Sequence, residues 1–406
     1  MRSAGLIGLL LTASSAHAQL TMAEAFEVAS ARNLELQQRA ADVDVAKAKV
    51  GGASMLLTTN PTVTLSLGPR FGTAGRSLDY GGQLMQQLEL AGQRGARVDA
   101  AEAGVAAATA QLQAAQARLK ADVRSRFGRA LAAGLRVALA QEAQTLAQQS
   151  FTAADERFRA GSTALIEVNT ARVELGRVTR ARADTERARS VAHGELRLTL
   201  GLDAAEALAP QGDLAAEVQA ALPAEEPLID RALGSRFELA QARKNVEAAQ
   251  AQARLASREW LPSPRLGVSV SHEQESQATI VQGVLAFDLP VFNRNQGPRA
   301  VSVAQVRQAQ LALTAVERAV AHEVRGALAR ATAARAAAEG YRADVVKAMQ
   351  ENMDLVNDSY RAGRIDFLQL VVIRRQALEA RREFIDVLEE LNSARAELEL
   401  AIGGDF

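Results

Sequence analysis

The chain has no cysteine. Disulfides are therefore excluded, and so is an acyl anchor on an N-terminal cysteine. Aromatic residues make up only 4% of the 406 residues, low for a compact globular core. The four histidines, His17, His193, His272 and His322, lie far apart, with no partner at metal-ligand spacing. Neither charge sign dominates, with 47 basic and 47 acidic residues, so no polyanion such as nucleic acid is implied as a partner. The chain lacks a glycine-rich phosphate loop, a cysteine nucleophile and any cluster of histidines with acids. It is expected to be no enzyme and to bind no cofactor. Beyond the N-terminus no stretch reaches the ~18 uninterrupted apolar residues of a membrane-spanning helix.

What is present begins with an export signal. Arg2 supplies a positive start, Ala4 to Leu11 a short apolar run, and Ala16-His17-Ala18 a small-x-small cleavage pattern. Cleavage is expected between Ala18 and Gln19, leaving an unlipidated mature chain. Alanine is very common in that mature chain, as in residues 100–108. Alanine-rich helices approach closely, but each side chain buries little area. That suits thin walls of packed helices.

The chain repeats itself. Phe158-Arg159-Ala160-Gly161 recurs as Tyr360-Arg361-Ala362-Gly363, 202 residues later. The same offset pairs Gly201 with Gly403, and an offset near 203 pairs Pro61 with Pro264. A period near half the length marks a duplicated unit. The expected division is a signal peptide at 1–18, a first repeat at 19–202, a linker at 203–227 and a second repeat at 228–406.

Each repeat has the same plan. Helices are expected over Thr21–Val50, where Thr21 and Glu24 resemble a capping box, and over Ile229–Arg258. Then the period changes to two. Val63, Leu65 and Leu67 alternate with Thr62, Thr64 and Ser66, and Leu266, Val268 and Val270 alternate with Arg265, Gly267, Ser269 and Ser271. Further strands are expected over Leu78–Leu90 and Thr279–Leu289, with Gly68–Ser77 as a loop. Long helices come next over Gly92–Ala160 and from Pro298 to Ala362, each ~100 Å at the standard rise. Leu119, Val123, Phe127, Leu131, Leu135 and Leu139 mark a stripe in the first. Gly161-Ser162 is expected to end that helix and Ser162 to cap the next, which runs to Leu200.

About four strands cannot close a barrel, since the smallest membrane barrels have eight. Either the strands form a small soluble sheet, or several chains donate sheets to one barrel. In the second case Thr62, Thr64 and Ser66 face a water-filled lumen.

Two segments carry a resemblance. Leu88-Glu89-Leu90-Ala91-Gly92-Gln93-Arg94-Gly95 and Leu289-Pro290-Val291-Phe292-Asn293-Arg294-Asn295-Gln296-Gly297 resemble segments of the TolC family of outer-membrane efflux channels. The resemblance is to its heavy-metal cation-efflux subgroup, the CzcC- and CusC-like proteins. It covers essentially the whole mature chain. It implies a mainly α fold with membrane β: three protomers share a twelve-stranded outer-membrane barrel, and their long helices form a periplasmic tunnel. It implies a passive conduit in a tripartite RND-type system of a Gram-negative bacterium, exporting heavy-metal cations such as cobalt, zinc, cadmium, copper or silver. The implied partners are two further copies, outer-membrane lipid, a periplasmic adaptor and an inner-membrane RND pump.

The resemblance also implies roles for residues. Phe158, Arg159, Ala160, Gly161 and Ser162, with Tyr360, Arg361, Ala362, Gly363 and Arg364, match the tips that meet the adaptor. Glu167, Asp366 and Gln369 fall where some members carry an acidic tunnel-mouth gate. Two other readings stand beside this one: a drug or type I protein-secretion conduit, and a periplasmic coiled-coil structural protein. The arginines Arg172, Arg177, Arg180, Arg182, Arg187 and Arg189 read as a solvated or salt-bridged helix face.

Overall fold

The computed structural model describes residues 19–72, 75–219, 221–362 and 364–405. The expected leader, with Ala18, and the tip residue Gly363 lie outside the described residues. The elements run β1 (Gln19–Leu20), α1 (Met22–Arg32), α2 (Leu34–Ala53), β2 (Thr62–Gly72), β3 (Gly75–Gln87), α3 (Gln93–Arg159) and α4 (Leu165–Leu200). They continue with β4 (Ala209–Pro210), a short 3₁₀ turn, α5 (Glu225–Ser235), α6 (Phe237–Arg258), β5 (Arg265–Glu273) and β6 (Ala278–Ala286). The last are α7 (Gln296–Gly340), a π turn over Tyr341–Val345, α8 (Val346–Arg361) and α9 (Phe367–Ile402).

The chain divides into two compact units. One combines the chain up to Leu34 with Gln116–Gly234 and Ala321–Phe406; the other combines Glu35–Ala115 with Ser235–Val320. Among the described residues no helix is long and apolar enough to cross a membrane.

The second unit holds a four-stranded antiparallel sheet in the order β2-β3-β5-β6. Its register puts Val63 opposite Leu84, Leu84 opposite Val268, and Val270 opposite Val281. Because side chains alternate faces, most of the large apolar residues of the four strands share one face, while Met85, Ile280 and Val284 fall on the other. The polar set, including Thr64, Gln83, Ser269 and Gln282, shares the other. The expected loop at Gly68–Ser77 is mostly strand: β2 runs on to Gly72 and β3 starts at Gly75. Arg70 draws these ends together, donating to Asp79 and to Glu273 at 2.6 Å each.

In the first unit, small residues build the core. Ala25, Ala29 and Ala130 pack with Val123, Phe127, Leu196 and Leu200. The expected stripe on α3 leaves the core partway. Val123 and Phe127 are fully buried and Leu139 is buried again, but Leu135 between them is exposed and Val137 is buried beside it. A spacing of four overshoots the 3.6-residue turn by about 40° per step, so a strict four-residue stripe does not keep to one contact line.

Two helix breaks appear without a proline, one of them two residues after Gly234. The expected helix over Thr21–Val50 is two helices, because Asn33 adopts extended backbone at φ −63°, ψ 121°. Its side-chain amide donates to the Thr199 carbonyl at 2.9 Å. The expected Ile229–Arg258 helix breaks likewise at Arg236, with φ −67°, ψ 124°. The Thr21–Glu24 capping box is present. The Pro298 helix starts two residues earlier, leaving the proline in the first turn, where its missing N–H costs nothing. That helix is also interrupted by the π turn, whereas α3 runs unbroken for 67 residues. The 203–227 linker is not all loop, since it contains β4, paired in parallel with β1, and the start of α5.

Candidate functional site

The helix tips of the two repeats share one long backbone bond. At the end of α3, Gly161 takes φ +74°, a conformation that costs glycine nothing. Its N–H donates to Phe158 O at 2.9 Å and the Ser162 N–H to Arg157 O at 2.8 Å, the paired bonds of a Schellman cap. In the second repeat Arg364 N–H donates to Ser359 O at 2.8 Å, the same long bond 202 residues on. Ser162 does not cap the following helix, as its spacing suggests. Its hydroxyl turns back to Arg157 O at 2.8 Å, and α4 starts at Leu165 after Ala164, without a side-chain cap. Phe158, Arg159, Ala160, Ala362 and Arg364 are all exposed.

One polar cluster joins the two tips. Arg157 donates to the Tyr360 hydroxyl at 2.7 Å, and that hydroxyl donates to Glu167 at 3.0 Å. The Arg157 guanidinium also lies 5.7 Å from the Tyr360 ring centroid. Thr163 donates to the other Glu167 oxygen. Burial, then the bond to Glu167, pushes the Tyr360 hydroxyl above its ordinary value. Beneath the cluster lie Ala154, Val168, Ala171, Val356, Phe367 and Leu370, with Tyr360 packed against them. Of the three gate candidates, Glu167 is thus held by a cation and a phenol. Asp366 and Gln369 form the capping box that starts α9, with Gln369 N–H donating to Asp366 at 2.7 Å.

At the other end of the long helices the two family-like segments fold into matching elbows. Ala91 N–H donates to the Gln93 side chain at 2.8 Å, and Arg294 N–H to the Gln296 side chain at 2.7 Å. Each glutamine opens a long helix. Arg97 closes the first elbow on Glu89 at 2.6 Å, and Asn295 closes the second on Ala256 O at 3.0 Å. Spacing arguments do not single out these glutamines; their duplication 203 residues apart could have.

The sheet exposes its apolar face. Leu65 is 81% exposed, Leu67 71% and Val281 67%, with Val63, Leu84, Val268 and Leu285 also open. A contiguous apolar face of this kind marks an interaction surface.

A four-stranded sheet with one bare apolar face, carried on long helices that return through duplicated tips, is the architecture of the outer-membrane channel proteins. The chain belongs to the outer membrane efflux protein family, whose model matches residues 25–202 and 228–404. It is 26% identical over 388 residues to the cobalt-zinc-cadmium resistance protein CzcC of Cupriavidus metallidurans, covering 95% of this chain and 90% of that protein. Among solved structures, a membrane protein from Pseudomonas aeruginosa superposes with a TM-score of 0.77 at 20% identity, covering 94% of this chain and 93% of that one. CusC superposes with a TM-score of 0.76 at 18% identity, covering 95% and 92%. The fold is therefore TolC-like, as the two sequence segments imply.

Proposed function

We propose that the protein is the passive outer-membrane conduit of a tripartite RND-type efflux system, and that three copies join their sheets into one twelve-stranded barrel. The observation that carries this reading is the sheet. Its apolar face is bare, and its outer strands β2 and β6 each have one side unpaired among the described residues. Four strands are too few to close, and open strand edges are not tolerated in lipid. Pairing β6 of one copy with β2 of the next satisfies both demands. Heat-modifiable migration of outer-membrane fractions tests it. A trimer band that collapses on boiling is expected, and a heat-insensitive monomer in the soluble periplasm would rule the channel out.

The cargo on this reading is heavy-metal cations. The likeness to a cobalt-zinc-cadmium resistance protein over nearly the full chain supports this choice. Deleting the gene should lower tolerance to one or more of these metals and leave drug tolerance unchanged; the reverse result would make it a drug conduit. The two repeats then act as two halves of one wall, and their tips meet the adaptor of the inner-membrane pump. Glu167, Asp366 and Gln369 sit at the starts of the returning helices, with the Glu167 charge already matched by Arg157. The mature chain starts at Gln19 without acylation. Intact mass should equal the unmodified 19–406 chain, and an added acyl mass overturns that.

A further inference from the structure

The arginine run on α4 does not end in solvent throughout. Arg177 pairs with Glu174 at 2.6 Å and Arg182 with Glu186 at 2.9 Å. Arg180 and Arg187 lie 4.0 and 3.8 Å from Asp184. Arg189 instead lines a half-open cavity of about 920 Å³ within the first unit, bounded by α3, α4 and the Leu208–Gly212 segment. Its apolar floor is Leu131, Leu135, Leu208 and Pro210, and Gly134 leaves space where any side chain would intrude. Its charged wall is Arg189 and Arg197, with His193 between them. Among the described residues no carboxylate lines it. The nearby acids are engaged elsewhere: Glu206 by Arg32 at 2.9 Å, Glu195 by Arg129 at 3.0 Å. Arg197 is held in place by one bond, from Nε to Glu206 O at 2.8 Å.

We propose that this cavity binds a small organic anion with an apolar body, its charged head against Arg189 and Arg197 and its tail over Leu131 and Leu135. The volume falls in the range of small-molecule sites, about 300–1,000 Å³. A cavity with two cations and no anion has a charge to be matched, and its floor excludes a bare hydrophilic ion as the best occupant. This explains two features that the conduit reading leaves unused: the exposed leucine of α3, which has rotated off the core, and the arginine that lines a cavity while its neighbours on α4 pair with acids. His193 is held below the ordinary histidine value by burial first, then by Arg189 and Arg197. It is therefore neutral at pH 7, and its protonation in acid adds a third positive charge to the same wall. The groups facing it are Arg189, Arg197 and Ser190 from α4; the lining residues of α3 and of Leu208–Gly212 carry no titratable side chain.

The absence of cysteine allows a clean test. Ser190→Cys, on the cavity rim, gives a single labelling site for an environment-sensitive fluorophore in the full-length, detergent-solubilised protein. Octanoate, octyl phosphate and octanol are titrated in turn. Saturable responses are expected to both anions at pH 7.5, at least tenfold weaker to octanol. Whichever anion binds tighter assigns the head group to a free carboxylate or to a lipid-type phosphate. Arg189→Glu should weaken both anions at least tenfold, Gly134→Phe should fill the floor and abolish saturation, and Arg180→Glu should change neither. Equal binding of octanol, or undiminished binding in Arg189→Glu or Gly134→Phe, overturns the proposal. Because the conduit reading is tested by trimer migration and metal tolerance, failure of one leaves the other standing.

Discussion

Gly128 and Asn392 meet so closely that one methyl group decides the packing of α3 against α9. A Cβ at Gly128 would lie 2.0 Å from the Asn392 amide nitrogen and 2.6 Å from its carbonyl carbon. Asn392 is 3% exposed, and its amide donates to Arg124 O at 3.1 Å. It cannot swing into solvent as a surface amide would. Alanine gains about 1 kcal/mol of helix propensity over glycine, whereas overpacking and a lost buried hydrogen bond cost about 1–3 kcal/mol each. Gly128→Ala should therefore lower the thermal unfolding midpoint, and adding Asn392→Ala should recover much of the loss. A raised midpoint in the single variant would mean the wall has room there. At the tip, Tyr360 carries a pH prediction of definite sign. A raised acid pKa means that the neutral phenol is the form favoured by the fold. Its contribution is complete below the ordinary tyrosine value of about 10 and is lost as pH rises past it. Protection of the amides of residues 157–167, measured against their intrinsic exchange rates, should fall above pH 10, and Tyr360→Phe should show lower protection already at pH 7 with no further fall above 10. Identical exchange in both proteins would show that the phenol holds nothing.

Among the elements, the tips invite the sharpest test. Gly161 at φ +74° has no atom within 4 Å of where a Cβ would stand. A valine there meets backbone strain of about 1–3 kcal/mol and no clash. That is too little to melt α3, which is packed along its length, yet enough to reshape an exposed turn. Gly161→Val should leave the trimer and membrane insertion intact while reducing crosslinking to the adaptor and metal export; loss of the trimer would make the glycine a folding element instead. The helices, strands and tips were legible in the sequence because glycine, proline and period-two alternation leave local marks. The breaks at Asn33 and Arg236 were not, because they are set by tertiary contacts such as Asn33 to Thr199. The π turn at Tyr341–Val345 carries no marker beyond one glycine before it, and its anchor, the Tyr341 hydroxyl donating to Glu383 at 2.7 Å, joins residues 42 apart. The Arg157–Tyr360–Glu167 cluster was only half visible. All three residues lie at or beside the repeated motif, but that they touch across about 200 residues of chain is a fact of folding.

For the whole molecule the deciding question is which face of the sheet meets lipid. The register settles that each residue in a row shares its face with its neighbours across all four strands: Leu67, Tyr80, His272 and Thr279 form one such row, and Val63, Leu84, Val268 and Gly283 another. The first row lies towards the hairpin turns and is the more polar; the second lies in the middle of an apolar band. On the reverse face Arg70, Asp79 and Glu273 bring three charges together near the turns, an arrangement suited to a watery lumen and costly in hydrocarbon. A charge placed on the apolar face should therefore oppose insertion, and the same charge on the neighbouring residue should not. Val268→Arg is expected to cost about 2–4 kcal/mol at the bilayer midplane, less towards either interface. In the proposed three-copy barrel the cost enters three times, which is enough to deplete the trimer in the outer membrane. Ser269→Arg points the same side chain into the lumen, where water solvates it, and should assemble normally while altering single-channel conductance. The measurement is the heat-modifiable trimer band of each variant together with conductance in planar bilayers. If Val268→Arg assembles and Ser269→Arg does not, the faces are reversed. If both assemble with unchanged conductance, the sheet is not the wall of a membrane pore.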